Sequence, residues 1–252
     1  NYLDQNIKLA IQAGEKLFPK IIKHYGEISE EVFEMLFYMG NLYSANNNLE
    51  KSIDFFQRAN TLAENQFLKT HEYEFIEIKY ALALDLLKTG NQNEGMIFLE
   101  ETLNIIEKKS DDFILNLFGF SKNLVLVQIL ELKLNLLTNS HNITETKNTL
   151  DQFKHIIDND NSIPSESVSQ YYNHLGVYYG YLEQWADMSV VLEEGRALLD
   201  KNSESYDFYN NSFLHNMGMA LTMLGQYNEA VIIYNEVEKY LENNQSFSSY
   251  MG

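Results

Sequence analysis

The chain has 252 residues, 45% hydrophobic and 21% charged, and its 18 Lys and Arg face 36 Asp and Glu for a net charge of -18. With no Cys, a disulfide framework, a thiolate zinc site and a cysteine nucleophile are excluded, and 2 Pro with 12 Gly leave little turn material for a sandwich or barrel. A chain this acidic repels a phosphate backbone, so its own surface is a poor nucleic-acid binder.

Residues 1–32 open with apolar residues at helical spacing, Leu3, Ile7, Ala10, Ile11 and Leu17. They predict a helix that Pro19 breaks, then a second short piece to Tyr25 stopped by Gly26. This segment reads as an N-terminal helical cap or the remnant of a preceding unit. It carries a net +2 over residues 1–26, whereas residues 170–252 carry -8. Residues 33–242 read as helices separated by breaks at Asn46–Asn48, Gly90–Asn93, Asn139–Asn142, Asn159–Pro164, Lys201–Ser203 and Gly225, rich in residues that favour caps and turns. The most apolar run, Leu124 to Leu137, is broken by Gln128, Glu131, Lys133 and Asn135 and is too short for a membrane span. Residues 243–252 form a tail. The start at Asn1 without Met and the tail that stops without a helix end suggest a piece of a longer protein.

Within 33–242 the chain repeats itself. Gly40, Gly176 and Gly218 each follow a large apolar residue. Twelve residues after each Gly stands a small or medium residue (Ser52, Met188, Ala230), and four later a large one (Phe56, Leu192, Tyr234). Aligning the copies places unit starts near Phe33, Ile76, Val127, Ser169 and Asn211, at spacings of 43, 51, 42 and 42 residues. The second copy has Ala83 and Gly95 at the two small positions; the third, with Leu134 and Thr146, is degenerate.

The pattern resembles the tetratricopeptide repeat, a helix–turn–helix unit. The resemblance implies an all-α, right-handed superhelix of about five stacked helix pairs. In it, the Gly and the small residue twelve on, such as Gly218 and Ala230, form a close contact, and the large residues fill gaps between units. Its spacings exceed the family's usual length, so either helices or connections are longer. Trp185 reads as a bulky core residue at a helix start.

The resemblance also implies a concave face lined by the first helix of each unit. Carried over position by position, that face holds Glu34, Phe37 and Asn41; Glu77, Tyr80 and Leu84; Gln128, Glu131 and Asn135; Gln170, Asn173 and Val177; Ser212, His215 and Met219. It has no Lys or Arg, which argues against a clamp for the acidic tails of chaperones. An Asn or Gln amide offers both donor and acceptor and can pair with a peptide main chain, while Phe37, Tyr80, Val177 and Met219 would pocket side chains. The candidate peptide-binding residues are therefore Phe37, Asn41, Tyr80, Gln128, Glu131, Asn135, Gln170, Asn173, Val177, His215 and Met219, for an extended peptide or protein segment of neutral or basic charge.

No phosphate-binding glycine loop or nucleophile elbow occurs, and His71-Glu72 lacks the second His of a zinc helix. Neither a catalytic residue, a cofactor nor a metal site is expected. The long repeats and amide-rich face resemble, in layout, the peptide-pheromone sensors of Gram-positive bacteria of the Rap, Rgg, PlcR and PrgX types. That implies the ligand-sensing domain of a cytoplasmic, quorum-sensing transcriptional regulator. It would reach DNA only through an N-terminal domain outside this sequence, would not contact a membrane, and could be a homodimer. The alternatives are a generic tetratricopeptide scaffold for protein–protein interaction and, third, repeats accessory to an enzyme.

Overall fold

The computed structural model describes residues 2–243, with side chains from 5 to 242; the tail expected at 243–252 lies outside the described residues, save the Asn243 backbone. Those residues are all helix and turn, with no strand. The chain divides into two compact units, Asn1–Gly119 and Phe120–Gly252.

The first unit contains α1 (Tyr2–Tyr25), α2 (Glu30–Ala45), α3 (Leu49–Leu62), α4 (Glu72–Lys88), α5 (Gln92–Glu107) and the short α6 (Asp111–Phe118). Local chemistry sets the boundaries. The Ser29 side chain accepts from the Val32 N–H and begins α2, with Glu30 and Glu31 in its first turn. Asn48 does the same for α3 and Ser110 for α6. Gly119 ends α6 at φ 73°, a left-handed conformation that a Cβ would strain. After α3 the chain continues through a single π turn, Ala63–Phe67.

Contrary to expectation, α1 is not broken at Pro19. Its apolar face is packed on both sides of the proline: Ile11 against Met39 and Tyr43, and Phe18 against the α2–α3 core, before it, and Ile21 and Ile22 against the same core after it. That burial outweighs the one helix hydrogen bond the proline removes.

The second unit contains α7 (Lys122–Asn139), α8 (Ile143–Asn159), α9 (Ser165–Tyr181), α10 (Trp185–Ala197), α11 (Tyr206–Met223) and α12 (Tyr227–Asn243). Across the two units, α2/α3, α4/α5, α7/α8, α9/α10 and α11/α12 are five helix pairs, and α1 packs against α2 ahead of the first. Each first helix begins three to five residues before the unit start read from the sequence.

The long interval between the second and third units holds α6, which the sequence pattern did not show. Its Phe113 stacks on Tyr73 with ring centroids 4.4 Å apart, and its Phe118 meets Tyr80 edge-on at 6.2 Å, so α6 covers one face of α4.

The glycines act differently from the expected pairing. A Cβ on Gly40 would lie 2.6 Å from the Phe56 ring, on Gly176 2.6 Å from Leu192, and on Gly218 2.7 Å from Tyr234. The large residue sixteen positions on, from the same unit, thus fills the space over each Gly. Phe56 also packs against Phe75, Ile78 and Leu82 of the next pair, and Leu192 against Phe213 and Met217, so these large residues fill the gaps between neighbouring pairs as well. In the first copy the small residue twelve on is also in contact: Ser52 Oγ lies 3.0 Å from the Gly40 carbonyl oxygen, its one proton shared between that oxygen and Asp85. Gly195, outside the repeat signature, is equally tight, because an added Cβ would meet Tyr172 Cβ at 2.5 Å. In the degenerate third copy Leu134 and Thr146 are fully buried, so α7 and α8 pack without a glycine contact.

Candidate functional site

The expected face falls on both units. In the first, Glu34 and Asn41 are exposed, and Asn41 Nδ2 donates to the Phe37 carbonyl one turn back at 3.2 Å. Phe37 is half-buried against the core of α2, α3 and α4. Glu77, Tyr80 and Leu84 follow one face of α4, each half-buried. Burial, and then the neighbouring Glu74, raises the Glu77 carboxyl above its ordinary range; burial alone raises the Tyr80 hydroxyl. The Tyr80 ring is already engaged by Phe118, which narrows what it can offer a ligand.

In the second unit, Gln128, Asn135 and His215 are exposed, while Glu131, Val177, Ser212 and Met219 are half-buried. Met219 packs against the core of Met188, Leu192 and Phe213. Asn173 is buried, and its amide is committed to a ladder between α9 and α11. Its Nδ2 donates to Ser212 Oγ at 3.2 Å, and its Oδ1 accepts from Asn216 Nδ2 at 2.9 Å. This amide, expected to face the ligand, ties two helices together. His174, beside it, is buried and its imidazole is held down at about 4 by desolvation, whereas His215 is exposed.

The structure gathers three of the expected residues around one pocket of about 270 Å³. Gln128 and Glu131 come from α7 and Gln170 from α9; Leu124, Glu166 and Tyr209 complete the principal walls. Burial, and secondarily the Glu166 charge, pushes the Glu131 carboxyl up to about 7. Glu166 accepts a 3.0 Å hydrogen bond from Ser205 Oγ. Gln170 is 6% exposed, and its Nε2 is buried without a hydrogen-bond acceptor. Glu166 and Tyr209 were missed in the sequence because they lie before the repeat's nominal starts, where the family pattern assigns no inward position. The spacing of Glu166 and Gln170, one helical turn apart, is the signal that would have found them.

A larger cavity of about 650 Å³ lies in the first unit beside Ile22, Ile28, Asp54, Arg58 and Leu62. It holds none of the expected residues, and none of the unpaired buried polar atoms found among the described residues lines it. The smaller, polar pocket joins expected residues to an unpaired buried amide donor. Elsewhere in the same unit, Glu30, Glu34 and His71 bring ligand-type atoms within 4.8 Å of one another. There His71 Nε2 lies 3.1 Å from Glu30 Oε1, and His71 Nδ1 3.0 Å from Thr70 Oγ1. In sequence His71 stands beside Glu72 alone; the cluster arises because the π turn and the following loop return the chain to the start of α2.

No single helix among the described residues is long and apolar enough to cross a membrane. No protein-family model and no curated protein sequence matches the chain. Solved structures do. The tetratricopeptide-like repeats of a putative kinesin light chain from Podosopora anserina align at 16% identity over 85% of this chain and 96% of that one, with a TM-score of 0.59. RapI in its apo form aligns at 16% identity over 92% of this chain and 59% of its own, with a TM-score of 0.67. The assembly chaperone of RpL4, Acl4, aligns at 11% identity over 98% and 95%, with a TM-score of 0.60. The chain thus has the tetratricopeptide-like repeat fold.

Proposed function

We propose that this chain is a binding module for an extended peptide or protein segment, neutral to basic in charge, received on the first-helix faces. The observation that carries the reading is the makeup of those faces. Asn41, Gln128 and Asn135 present exposed amides, Phe37, Val177 and Met219 offer partly open apolar surface, and Glu131 adds a carboxylate. Amides satisfy a peptide main chain, apolar pockets take its side chains, and the acids disfavour an acidic partner. No catalytic role is assigned to any residue.

The finer reading is the ligand-sensing domain of a cytoplasmic, peptide-responsive transcriptional regulator, acting on DNA through a separate N-terminal domain. The likeness to RapI and the amide-rich layout support it. A scaffold for a larger protein partner is the second reading, favoured by the likeness to Acl4 along nearly the whole of both chains. Fluorescence-anisotropy titration of labelled extended pentapeptides of basic, neutral and acidic charge separates these. The proposal expects saturable binding of neutral or basic peptides, weakened by Asn135→Ala, with acidic peptides excluded. Binding of acidic peptides in preference, or of none, would overturn it and leave the scaffold reading.

A further inference from the structure

The pocket between α7, α9 and α11 has features that a main-chain grip does not explain. Two carboxylates, Glu131 and Glu166, face the same small space, and among the described residues neither is in ion-pair range of a Lys or Arg. Like charges in a half-buried site are costly unless a cation joins them. Beside them Gln170, almost wholly buried, keeps an amide donor with no acceptor, a loss that native structures rarely leave in place without reason. The missing partners are therefore one cation and one hydrogen-bond acceptor, close together.

The volume narrows the answer. At about 270 Å³ the pocket is well under half the size of the cavity in the first unit and suits one end of a peptide rather than its length. Leu124 and Tyr209 line the pocket beside the end residue's side chain, with the Tyr209 hydroxyl hydrogen-bonded to Glu166. An ammonium group has three donors and no acceptor, which suits two carboxylates. A Lys side chain has no carbonyl near its ammonium. The first residue of a peptide has one two bonds away.

We propose that this pocket takes the free amino terminus of the peptide ligand, its ammonium set between Glu131 and Glu166 and its first carbonyl accepting from Gln170 Nε2. The inference rests on the peptide-binding reading above and specifies how one end of the ligand is held. Ser205, at the start of α11, donates to Glu166 and so restrains that carboxylate. The raised Glu131 carboxyl belongs to the empty pocket, and an ammonium beside it would favour the charged form.

The test uses three small probes on the whole chain, followed by proton–nitrogen NMR. Leucinamide carries both ammonium and carbonyl, N-acetylleucinamide lacks the ammonium, and Nα-acetyl-lysinamide has only a side-chain ammonium. Leucinamide is expected to shift the Gln170 side-chain amide saturably and to bind about 10- to 100-fold more tightly than either of the others. Glu131→Gln, which buries a neutral group in place of a strained acid and so keeps the fold, is expected to lose that preference. An unmoved Gln170 resonance, equal binding of N-acetylleucinamide, or tighter binding of Nα-acetyl-lysinamide overturns the assignment. An extended peptide that binds equally with and without an acetylated amino terminus retires this inference alone and leaves the peptide-binding reading standing. If no extended peptide binds, that reading fails, and the leucinamide titration still reports on the pocket.

Discussion

The two units solve the problem of buried polar groups in opposite ways. The first pairs its charges. Asp85, 1% exposed, accepts from Ser52 Oγ at 2.6 Å and Ser44 Oγ at 3.0 Å, joining α4 to α2 and α3. Lys79, 4% exposed, bridges Glu64 of the π turn at 3.0 Å and Glu101 of α5 at 2.6 Å, with its ammonium over the Phe75 and Phe98 rings. The second unit joins its helices mainly through neutral groups. Ser169 Oγ donates to the Gly195 carbonyl at 2.8 Å, the Tyr181 hydroxyl donates to the Thr138 carbonyl, and the Asn173 ladder links α9 to α11. Its Lys133–Glu145 pair is the exception. Glu131 and Gln170 in this unit stay without protein partners and share a pocket. Each unit leaves one buried amide oxygen unpaired, Asn60 in the first and Asn211 in the second, but among the described residues only the second leaves an unpaired donor, Gln170 Nε2, beside a carboxylate in a pocket, and that is where a ligand gains most.

The largest effect expected from breaking this contrast lies in the first unit. Removing the counter-charges, with Glu64→Gln and Glu101→Gln together, leaves the Lys79 ammonium buried and unpaired and is expected to cost about 3–5 kcal/mol. Lys79→Met, which removes the charge itself and keeps the volume, should be nearly neutral because both glutamates are about half exposed and return to water. Denaturant unfolding with hydrogen-exchange readout on α4 and α5 compares them. Equal destabilisation by both would mean that Lys79 acts by packing and that the first unit is not held by charge.

The next effect belongs to the second unit and concerns pH. Glu131 has a folded value of about 7 against an ordinary 4.5. The native state therefore keeps a proton that the unfolded chain has lost, and stability falls as pH rises from about 4.5 to 7. His174 is the reverse, with a folded value of about 4 against 6.5. Its unfolded form takes up a proton that the native form refuses, so stability falls as pH drops from 6.5 toward 4. Each window is worth on the order of 3 kcal/mol, and the two oppose each other between pH 4.5 and 6.5. Glu131→Gln is expected to expose the His174 slope, with stability rising toward pH 6.5, and His174→Gln the Glu131 slope, with stability falling toward pH 7. Denaturant midpoints at several pH values measure both. Parallel profiles in the wild type and the two variants would remove the opposition.

How much of this was legible in the sequence follows from what kind of interaction carried each feature. Gly40, Gly176 and Gly218 with their large partners sixteen residues on are local, one connection apart, so the helix pairs could be read from a single line of sequence. The space over each glycine shows the limit: spacing gives the pair of helices but not that the large residue sixteen on, rather than the small one twelve on, stands nearest the missing Cβ. The α6 helix and the π turn carry no repeat signature, and α1 passes Pro19 because of packing contributed by α2 and α3. At the candidate site, Gln128, Glu131 and Gln170 could be placed by position in the repeat. Glu166 and Tyr209 could not, since they reach the pocket from first helical turns that begin earlier than the aligned motif. The commitment of Asn173 to Ser212 and Asn216 spans 39 and 43 residues and is visible only once α9 and α11 lie side by side.

That ladder provides the smallest and most discriminating measurement. Asn173→Ala removes one donor and one acceptor from between two helices, and the groups it leaves, Ser212 and Asn216, are half-buried and can be partly rehydrated. The expected cost is therefore near the low end for a lost hydrogen-bonded pair, about 1–2 kcal/mol, rather than the larger figure expected for the buried lysine. A double-mutant cycle with Asn216→Ala is expected to show coupling of about 0.5–1 kcal/mol, since removing either partner first leaves less for the second to lose. The cycle should be run alongside peptide titrations at a temperature far below melting. If Asn173 serves only the ladder, its replacement lowers stability and leaves peptide affinity within a factor of two or so, the resolution of about 0.4 kcal/mol. If its second amide hydrogen also reaches the ligand main chain, affinity falls about tenfold while Asn216→Ala leaves affinity unchanged, because Asn216 shares the ladder but was not among the positions expected to face the ligand. No coupling between the two asparagines would mean that α9 and α11 are held by apolar packing around Phe213 and Met217, and the contrast between a charge-paired and an amide-laddered unit would then rest on the first unit alone.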